Sequence, residues 1–300
     1  MIPHTATKLI IMLDIGCSVS IIISMNRLST SKRVQILSAL VEGCSLRSTS
    51  RMADVSINTV TKLLVDLGAA CAKYQDEAMR DLPCKRIQAD EIWSFCYSKQ
   101  KNVPTKQQGE FGYGDVWTWT AICADTKLIP SWFTGDRDAG SAWELMNDLA
   151  PRLAHRVQLT TDGLKVYMES VEDAFGANID YAMLVKLYGE DKTQEQRYSP
   201  PKCNGTKRRT VQGNPDGDHV STSYVQRANL TMRMGMRRFT RLTNAFSKKV
   251  ENHAHAITVH FMHYNFARIH ESLRVTPAME AGVSDHVWSL EEIIGLLDSN

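Results

Sequence analysis

The sequence predicts an α/β protein: a mixed five-stranded sheet with flanking helices, preceded by a small all-α domain. Three observations predict it. The stretch 86–97, Arg-Ile-Gln-Ala-Asp-Glu-Ile-Trp-Ser-Phe-Cys-Tyr, alternates with period two and reads as a buried strand carrying acids. Further strand-like and helix-like runs follow it at short spacing. Before it, residues 32–67 carry helical stripes separated by turn signals.

Three hundred residues allow about two domains and a sizeable core. With 43% hydrophobic and 23% charged residues, the composition is that of an ordinary soluble globular chain. The net charge of +2 decides nothing by itself, but its distribution does. From His219 to Val250 there is no Asp or Glu, while Arg227, Arg233, Arg237, Arg238, Arg241, Lys248 and Lys249 fall in that interval. A one-sign segment is a candidate polyanion contact, and the plainer alternative is a solvated helix face. The seven cysteines form no Cys-x-x-Cys pair, so neither a zinc site nor a disulfide framework is indicated. Free thiols in a reducing cytoplasm fit best.

In chain order, residues 1–24 read as an N-terminal extension. Their apolar run is broken by Asp14, has no small-residue cleavage site and is short for a membrane span, so no membrane partner is expected. Met25, which opens a strongly polar segment, is a candidate natural start beside Met1. Residues 25–82 read as a helix-turn-helix domain. Val34, Ile36, Leu37, Leu40 and Val41 mark its first helix, which Gly43 ends. A short second helix spans 45–53, and Ser56 caps a third over 57–67. A helix-turn-helix presents the first residues of its last helix to the major groove. That assigns Asn58, Thr59 and Thr61 to base edges and Lys62 to phosphate, against the alternative of a plain three-helix unit. Residues 68–83 read as a separate connecting helix ending at a proline.

Residues 83–285 read as the core. Strands at 86–97, 116–124 and 128–135 have short connections and form an antiparallel meander. A helix at 139–153, a strand at 157–162, a helix at 164–175 and a short strand at 178–183 follow. This order is that of the ribonuclease H-like fold. It places Asp90 on the first strand and Asp162 at the end of the fourth, on neighbouring central strands, where both carboxylates reach one divalent metal site. Asp162-Gly163 taken alone is a common turn pair. A polar insertion is expected at about 189–218, then a long helical region from 226 to roughly 267 with breaks near Gly235 and Asn244. Residues 286–300 read as a tail.

Several strings in the right order resemble DDE-type transposases, most of all the insertion-sequence-one family. They are Asp90-Glu-Ile-Trp93, Gly114-Asp-Val-Trp-Thr-Trp119, Thr161-Asp-Gly163, Gln226-Arg-Ala-Asn-Leu-Thr-Met-Arg233 and the basic run 238–249. Tyr264-Asn265, Arg268, His270, Leu273 and Thr276-Pro277 are similar to the tail of many integrase-like transposases. The resemblance covers about residues 30–285. It implies metal-dependent DNA strand cleavage and strand transfer of an insertion sequence, with two Mg2+ (or Mn2+) ions held by two Asp and one Glu. It also implies double-stranded DNA (transposon ends and target) as partner, a homodimer on that DNA, and a place in the bacterial cytoplasm or nucleoid.

Asp90 and Asp162 match the first two acids. The third departs: where the family has Glu before Arg-x-Asn-Leu-Thr, this chain has Gln226, which removes a negative charge from the cage. Glu251 is the fallback, about 37 Å away along a continuous helix. The protein is then an active transposase, a decayed copy or a DNA-binding protein derived from one, or a ribonuclease H-like nuclease. Arg227, Arg233, Arg237, Arg238 and Arg241 are the remaining DNA-contact candidates, with Arg233, Arg237 and Arg241 expected on one helix face.

Overall fold

The structure, a computed structural model, describes residues 10–13, 19–22, 27–188, 203–240 and 245–298. Most of the expected extension, Met25, the start of the expected insertion, Arg241 and the expected break at Asn244 lie outside the described residues. Strands β1 (Ile10–Leu13) and β2 (Val19–Ile22) pair antiparallel. Among the described residues no single helix is long and apolar enough to cross a membrane.

Three helices follow: α1 (Thr30–Val41), α2 (Leu46–Ala53) and α3 (Ile57–Ala78). Each starts on a serine, Ser29, Ser45 or Ser56, whose hydroxyl accepts from the amide three residues on. Asp54 adopts the left-handed conformation at the end of α2, and the chain bends by 111° into α3. Ile36, Ala53, Val60 and Leu63 form a small apolar cluster between the helices. Leu37, Leu64, Leu67 and Cys71 instead join the main core under the sheet.

The expected break at Gly68 is absent, and α3 runs through it to Ala78. Glycine inside a helix costs about 1 kcal/mol relative to alanine. Here a Cβ at Gly68 would lie 2.6 Å from the Cβ of His255, so the glycine is what lets two helices approach closely.

The sheet holds six described strands. They are β3 (Arg86–Cys96), β4 (Gly114–Cys123), β5 (Ser131–Gly135), β6 (Val157–Asp162), β7 (Ile179–Tyr188) and β8 (Cys203–Gln212). Their spatial order is β5-β4-β3-β6-β7-β8. The pairs β3–β6 and β6–β7 are parallel, and the other three are antiparallel. Five of the six are the expected strands. The sixth, β8, lies within the segment expected to be a loop. Most of its residues are exposed and none is buried, so no hydrophobic alternation marks it, and its backbone pairing with β7 makes it a strand. That pairing also carries β7 beyond residue 183.

Helices α4 (Ala139–Leu149) and α5 (Val166–Phe175) cover the face that bears Glu91 and Trp119, where Tyr167 packs edge-on against Trp119. Helices α6 (Ser223–Gly235) and α7 (Val250–Met262) cover the face that bears Gln88, Asp90 and Ser94. The long helical region is therefore at least two helices. Gly235 ends α6, and Met236 is extended.

The end of the chain packs down. Asn265 accepts from the Ile129 amide at 3.0 Å and donates to its carbonyl at 2.9 Å, copying a strand ladder just before β5. Tyr264 donates its hydroxyl to Lys127 O. Thr276 caps the short α8 (Pro277–Glu280). Trp288 packs on Tyr74 and Phe266, and α9 (Leu290–Gly295) begins with a capping box from Ser289 and Glu292. Part of the expected tail thus buries Ile293 and Ile294, and Asp298 pairs with Arg33. Among the described residues the cysteines are free.

Candidate active site

The pairing Ala89↔Thr161 between parallel β3 and β6 sets the next residues, Asp90 and Asp162, side by side on one face. Asp162 is the last residue of β6, and its Oδ1 also accepts from the Leu164 amide at 2.9 Å. It is therefore both a turn residue and a member of a carboxylate cluster. Asp90, Glu91 and Asp162 each bring one oxygen to within 4.8 Å of the others.

Glu91 was not among the expected site residues, because alternation along β3 puts it on the opposite face from Asp90. Its Oε1 accepts from Arg137 Nε at 2.9 Å and Nη2 at 2.6 Å, and its Oε2 accepts from the Tyr167 hydroxyl at 3.3 Å. The carboxylate side chain is 2% exposed, while Arg137 is 44% exposed and rests over the Trp117 ring. β6 stops at Asp162, and among the described residues β3 is next bridged on that side at Cys96, by Ser247, so oxygens from both faces meet past the end of β6. The signal in the sequence was two consecutive acids in an apolar strand with no base beside them.

Burial and mutual repulsion mark the cluster. Burial first, then the Asp162 charge, pushes Asp90 up to about 6, against the Glu91 amide, Lys186 and Asn229. Glu91 is pushed up to about 7 by burial and by Asp162 and Asp90, with Arg137 opposing. Burial also raises the Tyr167 phenol well above its ordinary range. Adjacent carboxylates that resist joint ionisation are a setting a cation relieves.

Helix α6 is brought to the cluster by β3 itself. Its N-cap, Thr222, makes no side-chain cap. Gln88 Oε1 instead accepts from the amides of Tyr224 at 2.8 Å and Val225 at 3.2 Å. Two residues along the strand, Asp90 Oδ2 accepts from Asn229 Nδ2 at 3.1 Å. Gln226 lines the same cleft, with its Nε2 donating to Thr222 Oγ1 at 3.0 Å. The cleft, about 670 Å³, is also lined by Arg137, Lys186 and Arg233.

Other expected residues lie elsewhere. Glu251 is exposed in the first turn of α7, nearest the Cys96 end of β3, and joins neither cleft nor cluster. The expected single face of Arg233, Arg237 and Arg241 does not form, because α6 ends at Gly235 and Arg237 lies in a separate turn. Arg238 turns inward: it donates to Ser247 Oγ and Asn252 O, and burial lowers it to about 10. Its partner Ser247 continues through His253 to Ser94, a buried polar chain that ties α7 to β3. Arg227 is exposed on α6. On α3, Asn58 is exposed, Thr59 bonds Ser56, Thr61 donates to Ile57 O, and Lys62 pairs with Asp66.

The donor set suits a hard divalent cation. It is all oxygen, with three carboxylates. Asn229, only 5% exposed, lines the same cleft, and its Oδ1 has no hydrogen-bond partner among the described residues. Such oxygens favour Mg2+ or Mn2+ over ions that prefer thiolate or imidazole.

No family model and no curated protein matches the chain. Among solved structures it overlaps the Mos1 mariner paired end complex with Mn at 11% identity and TM-score 0.23, over 52% of this chain and 59% of that one. It thus spans little more than half of that chain's length. It also overlaps the piggyBac transposase synaptic complex with hairpin DNA at 10% identity and TM-score 0.38, over 90% of this chain and 70% of that one. Overlaps this loose assign this chain no activity, and the site is read on its own geometry.

Proposed function

We propose that this chain is a DDE-type transposase, an enzyme that cuts DNA strands at the ends of an insertion sequence and joins them to a target. One observation carries the reading: Asp90 and Asp162 stand side by side on central parallel strands, with Glu91 in the same 4.8 Å cluster. The strand order and the helices on both faces support a ribonuclease H-like core. The 111° bend between α2 and α3 supports a helix-turn-helix that offers Asn58, Thr59, Thr61 and Lys62 to DNA. Double-stranded DNA is the partner, a homodimer brings two ends together, and the protein works in the bacterial cytoplasm or nucleoid.

Asp90, Glu91 and Asp162 would hold Mg2+ or Mn2+. Such an ion supplies charge neutralisation at the phosphoryl group and acidifies a water or 3′-hydroxyl. The chain's own residues do the rest. Asn229 fixes the Asp90 carboxylate through Oδ2, and Arg137 fixes Glu91. Lys186 and Arg233 bring positive charge into the cleft, where a phosphodiester needs it.

Gln226 favours a second reading, a DNA-binding protein derived from a transposase that no longer cuts. Incubation with labelled element ends and Mn2+ separates the readings. A transposase cleaves and joins, a nuclease nicks without joining, and the DNA-binding protein only shifts the duplex. Asp90→Asn should abolish cutting. A parent protein that binds ends but never cuts them would remove the leading reading.

A further inference from the structure

The strand that the sequence hides, β8, carries Lys207, Arg208 and Arg209 in a run of exposed residues at the edge of the sheet. Registers link it to the carboxylates. Asp162 pairs with Leu184, and Leu184 pairs with Arg208. Directly paired residues share a face, so Asp90, Asp162, Leu184 and Arg208 form one row across four strands. Arg208 thus lies two strand spacings, about 10 Å at the backbone, from Asp162. Lys186, two residues beyond Leu184 on the same face, pairs with Thr206 and lines the cleft beside the carboxylates. Among the described residues, Lys207, Arg208 and Arg209 have no ion-pair partner. Lys207 and Arg209 point to the other face by alternation.

We propose that Lys186 and Arg208 form a phosphate track: they hold the backbone of duplex DNA on the edge side of the cleft, on the same sheet face as Asp90 and Asp162. This rests on the transposase reading and deepens it by naming where the strand leaves the site. Charge supports DNA as the occupant. The acids repel a polyanion unless cations flank them, and Arg208 in their row and Lys186 next to it supply those cations on one side while Arg137 and Arg233 line the cleft itself. Edge strands also carry Lys and Arg simply to block edge-to-edge pairing. That role is indifferent to face, whereas a phosphate track is not.

The test uses the full chain and a fluorescent duplex of random sequence, titrated by anisotropy from about 50 to about 300 mM KCl. Each phosphate contact contributes about 0.9 to the slope of log affinity against log salt. Arg208→Gln should lower the slope by about 1, and Lys186→Gln with Arg208→Gln by about 2. Lys207→Gln with Arg209→Gln, on the opposite face, should change it by clearly less. The Mn2+-induced rise in melting temperature reports the carboxylates and should survive in all three variants. Equal slopes for the two double variants, or no loss with Arg208→Gln, would overturn the track and leave the transposase reading standing. A parent protein with no salt-dependent DNA binding would overturn both.

Discussion

Gln88 Oε1 accepts from the amides of Tyr224 and Val225, and so caps a helix that lies more than a hundred residues away in the chain. Together with the Asn229–Asp90 hydrogen bond, it docks α6 across β3 at two points. Gln88 is buried, so losing its oxygen leaves two helix-start donors without an acceptor. Gln88→Ala should therefore destabilise the protein by about 1–3 kcal/mol, since an unsatisfied buried donor costs about that much. Urea unfolding measures this directly. A loss below about 0.5 kcal/mol, the usual scale of a surface change, would mean that α6 is held by its apolar contacts alone.

The cluster makes stability depend on pH in a definite direction. Asp90 and Glu91 have folded pKa values near 6 and 7, above their ordinary 3.8 and 4.5. Between roughly pH 4 and pH 7 the folded protein therefore binds more protons than the unfolded chain, so these groups make it less stable as pH rises through that window. Metal binding needs the deprotonated acids and should run the other way, with affinity falling by about tenfold or more per pH unit below pH 6. Melting curves with EDTA and with Mn2+ at several pH values check both signs. A Mn2+-induced stabilisation that does not grow between pH 5.5 and pH 7.5 would argue against these carboxylates as the ligands.

Much of this arrangement was legible in the sequence, and the unread parts share physical causes. The period of 86–97, the short connections and the order of strands and helices gave the central strands and the placement of Asp90 and Asp162 on neighbouring ones. β8 was missed because an edge strand exposed on both faces has no hydrophobic period to read. The run through Gly68 was missed because only the close approach of His255 makes glycine favourable inside that helix. Glu91 was missed because alternation holds for Cβ directions and not for the tip of a long side chain at a strand end. The basic helix face failed because Gly235 and the extended Met236 end α6 before Arg237.

The first turn of α3 should separate recognition from general affinity. Asn58 is exposed and its amide can read a base edge, so Asn58→Ala should reduce preference for element ends over random DNA by about 1–3 kcal/mol. Lys62 is exposed and its tie to Asp66 is a surface pair worth little. Lys62→Ala should therefore weaken binding to all sequences alike and lower the salt slope by about 1. Competition gel shifts with end and random duplexes read both effects. If Asn58→Ala leaves the preference intact, the recognition surface lies elsewhere than on α3.

On the transposase reading proposed above, a third carboxylate ligand sets whether DNA is cut, and two residues compete for that role. Glu91 already has an oxygen within 4.8 Å of oxygens from Asp90 and Asp162, but its carboxylate also pairs with Arg137. Gln226 lines the cleft with a neutral amide whose nitrogen is engaged by Thr222. With Glu91 as the ligand, the parent protein should cleave end DNA with Mn2+. Glu91→Gln should then reduce the rate by about a hundredfold or more, the scale on which electrostatic groups act in such sites. Gln226→Glu should change the rate little in that case, since the cage already has three negative charges. With Gln226 as the lost ligand, the parent should be nearly inactive and Gln226→Glu should restore cutting. Arg137→Gln adds a control: freeing Glu91 from its partner should tighten Mn2+ binding if Glu91 is a ligand, while a purely structural pair would only lower the melting temperature. Single-turnover cleavage and Mn2+ titration on the same four proteins therefore assign the role, and an active parent that tolerates Glu91→Gln would exclude Glu91.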